Sequence, residues 1–225
     1  MAEKLKGENA VNRVTLLDRV WLSEDTFQLK CTRPEEFTFL PGQHVSFSVG
    51  NFCREYTMVS ADTDDFLLFL IKRLPEGKLS PQLADMPLQT QIAISPPAGY
   101  LVNRNSPDMQ VFVATGTGIA PFISMVRSGA RDFTLIHGAR DRVELFYEKE
   151  LQKHAASYIR CLTTSKAVNC NLEGFYSGRV TSFLKKSFTE GRYAFYLCGV
   201  WEMIQEVTHI IDERFPASVI YSEGY

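Results

Sequence analysis

Two rhythms of apolar and polar residues divide the chain. Up to about residue 103 the apolar positions recur in short alternating runs. Phe27, Leu29 and Cys31 alternate with polar neighbours, and Val45, Phe47 and Val49 do so after the turn Pro41-Gly42. A period of two turns one face of a strand inward. Further strands are expected at 55–61 (EYTMVSA), 66–73 (FLLFLIKR) and 91–95 (QIAIS), with ADTDD as the turn between the first two. A brief helix is expected from Leu79 to Met86. Short strands separated by turn residues predict an antiparallel sandwich or barrel.

From about residue 108 the rhythm changes. Buried-type strands are expected at 110–115 (QVFVAT), 133–139 (FTLIHGA), 158–164 (YIRCLTT) and 193–199 (YAFYLCG). Helices are expected from Ala120, over 144–155 and 180–187, and after 199, where Met203, Val207, Ile210, Ile211 and Arg214 fall near one face. Strands alternating with helices predict a doubly wound parallel α/β sheet. The polar stretch NRNSPD (103–108) reads as the linker. The expected domains are therefore 1–103, an antiparallel β sandwich or barrel, and 104–225, a nucleotide-type α/β unit.

Composition narrows the function. The 225 residues are 45% hydrophobic and 22% charged, with 24 basic against 26 acidic residues and a net charge of -2. That balance argues against bulk nucleic-acid binding, which needs a basic footprint. No apolar run reaches the roughly 18 residues that span a bilayer. The opening MAEKLKGENAVNRV has no signal-peptide core, so a cytoplasmic protein without a membrane span is expected. Cys31, Cys53, Cys161, Cys170 and Cys198 are widely spaced. They encode neither a zinc site nor an iron–sulfur cluster, so any cluster partner is a separate protein. His44, His137, His154 and His209 lack metal-ligand spacing and read as structural or surface residues.

Five short motifs carry candidate chemistry. ATGTGIAP (114–121) follows a strand; Gly116 and Gly118 allow close approach of a ligand, and the helix start offers free N–H groups to phosphate. The bland alternative is a plain tight turn. Arg54-Glu55-Tyr56-Thr57 offers a phosphate fork, a flat ring and a hydroxyl, although alone it reads as a surface strand. Gly77-Lys78-Leu79-Ser80 starts the short helix and could hold a pyrophosphate, or simply be a Ser-led turn. Cys198-Gly199 with Met203 ends a strand of the parallel sheet, where ligands bind in open α/β folds. The chain closes on Glu223-Gly224-Tyr225.

Taken in order, these motifs resemble the ferredoxin–NADP⁺ reductase family, from Pro41-Gly42-Gln43 to Tyr225. Arg54 to Thr57 is similar to its R-x-Y-S/T flavin motif, LIKRL (70–74) to its V-K-R-L strand, and Gly77 to Ser80 to its G-x-x-S motif. SPPAGYL (95–101) resembles the segment closing the flavin domain, GTGIAPF (116–122) the nicotinamide-side loop, Cys198-Gly199 and Met203 the C-G-x-x-x-M, and Ser222 to Tyr225 the V-E-V-Y ending. Thr57 stands where many members have Ser. The compact chain favours a bacterial-type member.

The resemblance implies FAD and NADP(H) as cofactors. Arg54 would pair with the FAD pyrophosphate, Tyr56 would pack on one face of the flavin, Thr57 would bond near its N5, and Tyr225 would cover the opposite face and move for hydride transfer. Glu55, Ile71, Lys72, Gly77, Lys78, Leu79, Ser80 and Thr117 would complete the FAD site. Gly116, Thr117, Gly118, Cys198, Gly199 and Met203 would meet the nicotinamide nucleotide, with Glu223 lining the same pocket. Thr57, Cys198, Glu223 and Tyr225 would be catalytic. Ser165, Lys166 and Arg179 would read the 2′-phosphate, which makes NADPH the expected donor, and Arg140 is a weaker candidate for that nucleotide. The bland alternative makes Lys166 and Arg179 solvated loop charges.

The implied partner is ferredoxin or flavodoxin, served by a monomer. One alternative is a reductase component for an oxygenase, a haem protein or a quinone. Another is a non-catalytic flavin-binding subunit. Lys4, Lys6, Lys72, Arg73 and Lys78 are candidates for a basic docking patch. Glu144, Glu148 and Lys149, among others of the helix over 144–155, are expected to form a solvated face.

Overall fold

The computed structural model describes residues 12–104, 106–164 and 173–225. The first half contains β1 (Asn12–Trp21), β2 (Thr26–Thr32), β3 (His44–Val49), β4 (Phe52–Thr57), β5 (Phe66–Lys72), α1 (Ser80–Asp85) and β6 (Gln91–Ile94). The strands form one antiparallel sheet in the order β4-β3-β6-β1-β2-β5. Its two ends meet where Met58 bridges to Phe69 and the Val59 N–H donates to Leu68 O at 2.7 Å. The sheet thus rolls into a barrel, which leaves few exposed edges. Phe27, Leu29, Phe47, Phe69 and Leu83 fill it.

The second half contains β7 (Met109–Thr115), α2 (Ala120–Arg127), β8 (Thr134–Ala139), α3 (Glu148–Gln152), β9 (Ser157–Leu162), β10 (Phe175–Ser177), α4 (Val180–Lys186), β11 (Tyr193–Gly199), α5 (Trp201–Arg214) and β12 (Val219–Gly224). All neighbouring strands are parallel, in the order β10-β9-β8-β7-β11-β12. Successive residues of β7 face opposite sides. Phe112 and Ala114 pack in one core with Phe122, while Val111 and Val113 pack in another with Leu184 and Val207. This two-sided burial explains the continuous apolar run of a parallel strand. Chain direction across the sheet reverses between β7 and β11, so their carboxyl ends open a crevice.

The two halves share a core. Val59, Leu68 and Leu70 from the barrel cluster with Phe112 and Phe122. Ser124 Oγ donates to Ser60 O at 2.8 Å, and the Tyr147 hydroxyl donates to Gln28 Oε1 at 3.0 Å.

The structure corrects several expectations. β4 starts at Phe52 and ends at Thr57, earlier than the expected 55–61, because Met58 leaves the β3 ladder for its bridge to β5. The expected helix over 144–155 shrinks to α3, preceded by a 3-10 turn at Arg142–Glu144. Leu145 and Phe146 are both buried and Tyr147 is left-handed at φ 59°, so adjacent side chains are drawn inward where one helix face could not take them. Its acidic residues are not a free solvated face: Glu148 Oε1 accepts from the buried Arg160 Nε at 2.6 Å, and Glu144 pairs with Arg140. β1, β10 and β12 are additional strands. His137, Ala194, Phe195 and Tyr196 are buried, and Tyr193 is partly buried against the same core.

Candidate active site

A cleft of about 1110 Å³ lies between the barrel and the carboxyl ends of the parallel strands. On the barrel side, β4 brings Arg54, Glu55, Tyr56 and Thr57 to its wall, and β5 brings Ile71 and Lys72. Tyr56 lies opposite Val45 in the β3–β4 ladder, and its ring packs on Phe47 at 5.4 Å. Burial pushes its phenol up to about 12, so it stays neutral. Thr57 lies opposite His44. Gly77 to Ser80 line the floor before α1. Ser80 Oγ accepts from the Leu74 N–H at 3.0 Å, so this hydroxyl shapes its own turn and retains its proton and one lone pair for a ligand.

On the sheet side, the loop after β7 forms a 3-10 turn, Gly116–Ile119, and then α2 with Pro121 in its first turn. Gly118 lies hard against β11. A Cβ there would sit 2.7 Å from Gly199 N and 2.5 Å from the Cys198 carbonyl carbon, so only glycine lets the loop approach. Gly116, Thr117, Cys198 and Met203 line the cleft, whereas Gly118 and Gly199 support it from behind. Burial, with Glu223 adding, raises the Cys198 thiol, so it is a neutral, space-defining group. Thr115 Oγ1 is buried without a hydrogen-bond partner at this end of β7.

Tyr225 and Glu223 complete the wall. The Tyr225 hydroxyl accepts from the Gly118 N–H and donates to Thr115 O, both at 3.0 Å. It therefore occupies one of the free N–H groups expected at this turn. The ring remains open, the residue being 59% exposed, while desolvation at the hydroxyl raises its pKa.

Charges are distributed unevenly. Lys72 is paired with Asp25 at 3.0 Å and Arg140 with Glu144 at 2.9 Å. Among the described residues, Arg54, Lys78 and Arg179 line the cleft outside any ion pair. Arg179 caps the start of α4. Ser165 and Lys166, and the patch candidates Lys4 and Lys6, lie outside the described residues. Arg73, another patch candidate, is paired with Asp85 at 3.3 Å.

One wall residue differs from expectation. His44 is neither remote nor merely superficial: it lines the cleft, with Nδ1 2.5 Å from Glu223 Oε1. Its position after Pro41-Gly42-Gln43, within the resembling segment, was the available signal. Its partner lies 179 residues later, which no local pattern shows.

Comparisons with known proteins agree with this geometry. Residues 13–102 match the family described as Oxidoreductase FAD-binding domain, and residues 112–209 match Oxidoreductase NAD-binding domain. The chain is 29% identical to the toluate 1,2-dioxygenase electron transfer component of Pseudomonas putida over 90% of this chain and 64% of that protein. It is 31% identical to a flavodoxin/ferredoxin–NADP reductase of Rhodobacter capsulatus over 59% of this chain and 54% of that protein. The chain thus spans between about half and two thirds of these curated relatives. The crystal structure of a ferredoxin NADP⁺ reductase from Neisseria gonorrhoeae with bound FAD and NADP superposes with a TM-score of 0.79 at 22% identity, covering 96% of this chain and 99% of that one. At that identity the likeness is one of fold.

Proposed function

The chain belongs to the ferredoxin–NADP⁺ reductase family of flavin- and nicotinamide-dependent oxidoreductases, and we propose that it transfers hydride between NADP(H) and FAD and single electrons to or from ferredoxin or flavodoxin. The observation that carries this reading is the single cleft joining the barrel residues Arg54, Tyr56 and Thr57 to Gly116, Cys198 and Tyr225 of the parallel sheet. Hydride transfer requires two rings held face to face, and a cleft built from two domains is suited to that. Arg54, which lines the cleft outside any ion pair, fits a large polar ligand with phosphates. The proposed boundary lies at 103/104, with the FAD-binding barrel before it and the nucleotide-binding unit after it.

When bound, the flavin supplies the chemistry: it takes a hydride and returns electrons singly. The protein supplies position. Arg54 would neutralise the pyrophosphate, Tyr56 would pack on the ring system, and Thr57 would offer it a hydroxyl. The Gly77–Ser80 loop provides N–H groups for phosphate. Cys198, neutral and buried, shapes the nicotinamide pocket, and Glu223 lines it. Tyr225 shields the site until the nucleotide displaces it. The 2′-phosphate reading rests on Arg179 in the cleft wall and, from the sequence alone, on Ser165 and Lys166.

A second reading is favoured by the match to a dioxygenase electron transfer component. In it the same site serves an oxygenase partner, and the nucleotide is NADH. A spectrum of the purified chain followed by anaerobic titration with NADPH and with NADH tests both. A yellow protein bleached preferentially by NADPH supports the first reading, and preference for NADH supports the second. A protein that binds no added FAD overturns both.

A further inference from the structure

A short side-chain contact joins the barrel to the parallel sheet inside the cleft. His44, at the start of β3, brings Nδ1 to 2.5 Å from Glu223 Oε1 on β12, and Nε2 to 3.7 Å from Glu55 Oε1 on β4. The His44 and Glu223 side chains are 12% and 24% exposed, whereas Glu55 is 68% exposed. The inner contact is sheltered, and the outer one is solvated and weak.

The backbone leaves little freedom to either partner. His44 lies directly opposite Thr57 in the β3–β4 ladder, so the two side chains share one face of the sheet. On the other side His44 and Ala98 exchange both backbone hydrogen bonds, each 2.9 Å. Glu223 lies opposite Cys198 in the β11–β12 ladder. Gly99 closes over the contact: a Cβ there would sit 2.9 Å from His44 Nδ1 and 3.0 Å from Glu223 Oε1. Any larger residue would force the pair apart. Two residues beyond Glu223, the Tyr225 N–H donates to Gly199 O at 3.3 Å, so the same strand end carries both cleft residues.

We propose that His44 is a positioning residue for the redox site, clamping the Glu223 carboxylate against the barrel wall beside Thr57 and thereby setting where the end of β12, with Tyr225, rests over the cleft. The proposal rests on the reductase reading for its catalytic consequence, but the clamp itself does not. His44 acts through Glu223 and does not touch the reacting atoms. The groups facing it are Glu223 from β12 and Glu55 from β4; Cys198, behind Glu223, is a neutral thiol. The hydrogen bond to Glu223 raises its pKa above the ordinary histidine value, against an opposing desolvation effect and with the charges of Glu223 and Glu55 adding. A raised folded pKa means the charged clamp is fully present below about pH 6.5 and is lost as pH rises through the folded value.

The test uses the full chain and the variants His44→Ala, His44→Asn and Glu223→Gln. Imidazole NMR titration, without and with FAD, reads the clamp directly. His44 is expected to titrate above about 6.5, and Glu223→Gln is expected to lower that value. Steady-state NAD(P)H oxidation with ferricyanide from about pH 5 to about pH 9 reads the consequence. His44→Ala is expected to lower kcat about tenfold with KM within about twofold, and to remove one limb of the pH profile. Asn retains a donor near the Nδ1 position without charge, so His44→Asn is expected to restore much of kcat while the limb stays absent. A His44 titration unmoved by Glu223→Gln overturns the clamp. A His44→Ala variant that only melts earlier, with the wild-type pH profile intact, reduces His44 to a structural role and overturns the proposal. If the wild-type chain binds no flavin and oxidises no NAD(P)H, the reductase reading fails, and the NMR titration still decides the clamp.

Discussion

Changing Tyr225 to Phe removes one oxygen and two hydrogen bonds while leaving the ring. The lost bonds are those from the Gly118 N–H and to Thr115 O, both 3.0 Å. A net contribution of about 1 kcal/mol each amounts to roughly 1–2 kcal/mol holding the ring over the loop after β7. If the ring must leave for the nicotinamide to enter, apparent affinity is the intrinsic affinity scaled by the open fraction. Removing that restraint is expected to tighten binding of NADP⁺ or NAD⁺ about 5- to 30-fold, since about 1.4 kcal/mol is tenfold. Titration of the FAD-loaded protein by calorimetry or difference absorbance measures it. A nucleotide fragment lacking nicotinamide, such as 2′-phospho-AMP, is expected to bind Tyr225→Phe and wild type alike. Unchanged or weaker dinucleotide binding by Tyr225→Phe would refute the reasoning; weaker binding would mean that the hydroxyl touches the nucleotide.

Gly118→Ala places a Cβ against the Cys198–Gly199 backbone, which cannot rotate away. It is expected to cost about 1–3 kcal/mol in urea unfolding and to weaken dinucleotide binding, and a variant as stable as wild type would contradict the close approach. Arg160 is buried, and it donates to Glu148 Oε1 at 2.6 Å and Gln152 Oε1 at 2.8 Å. Arg160→Ala leaves Glu148 only the long 3.8 Å contact with Arg142 and is expected to destabilise by about 3–5 kcal/mol, read as a lowered urea midpoint. Lys166 and Arg179 replaced together by Ala are expected to erode any preference for NADPH over NADH. An unchanged ratio of kcat/KM values would move the 2′-phosphate elsewhere.

How much was legible follows from where each signal resides. Period-two alternation at Phe27-Leu29-Cys31 and continuous apolar runs such as 110–115 announced two kinds of sheet, because burial on one face or on both writes itself into neighbouring residues. β1 was silent: its inward alternation stops at Leu16, where the register to β2 shifts before Asp18. β12 is a half-exposed edge strand held by its ladder to β11, and β10 has three residues, so neither carries an apolar period. The expected helix over 144–155 failed because tertiary burial of Leu145 and Phe146 overrode local propensity.

The sequence alone determined that short antiparallel strands precede a doubly wound sheet, because burial on one face or on both writes a local period, whereas Arg54–Thr57, Gly77–Ser80, Gly116–Gly118 and Cys198–Gly199 stood together as a set through their resemblance to the reductase family. Only the tertiary structure decided the pairings between strings. His44 meets Glu223, the Tyr225 hydroxyl lands on Gly118, Lys72 is tied to Asp25 and Arg140 to Glu144. The physical reason is range: hydrogen bonds and ion pairs act over a few ångströms in space between residues with no fixed spacing along the chain, so which charges remain available to a ligand is settled only when the chain has folded.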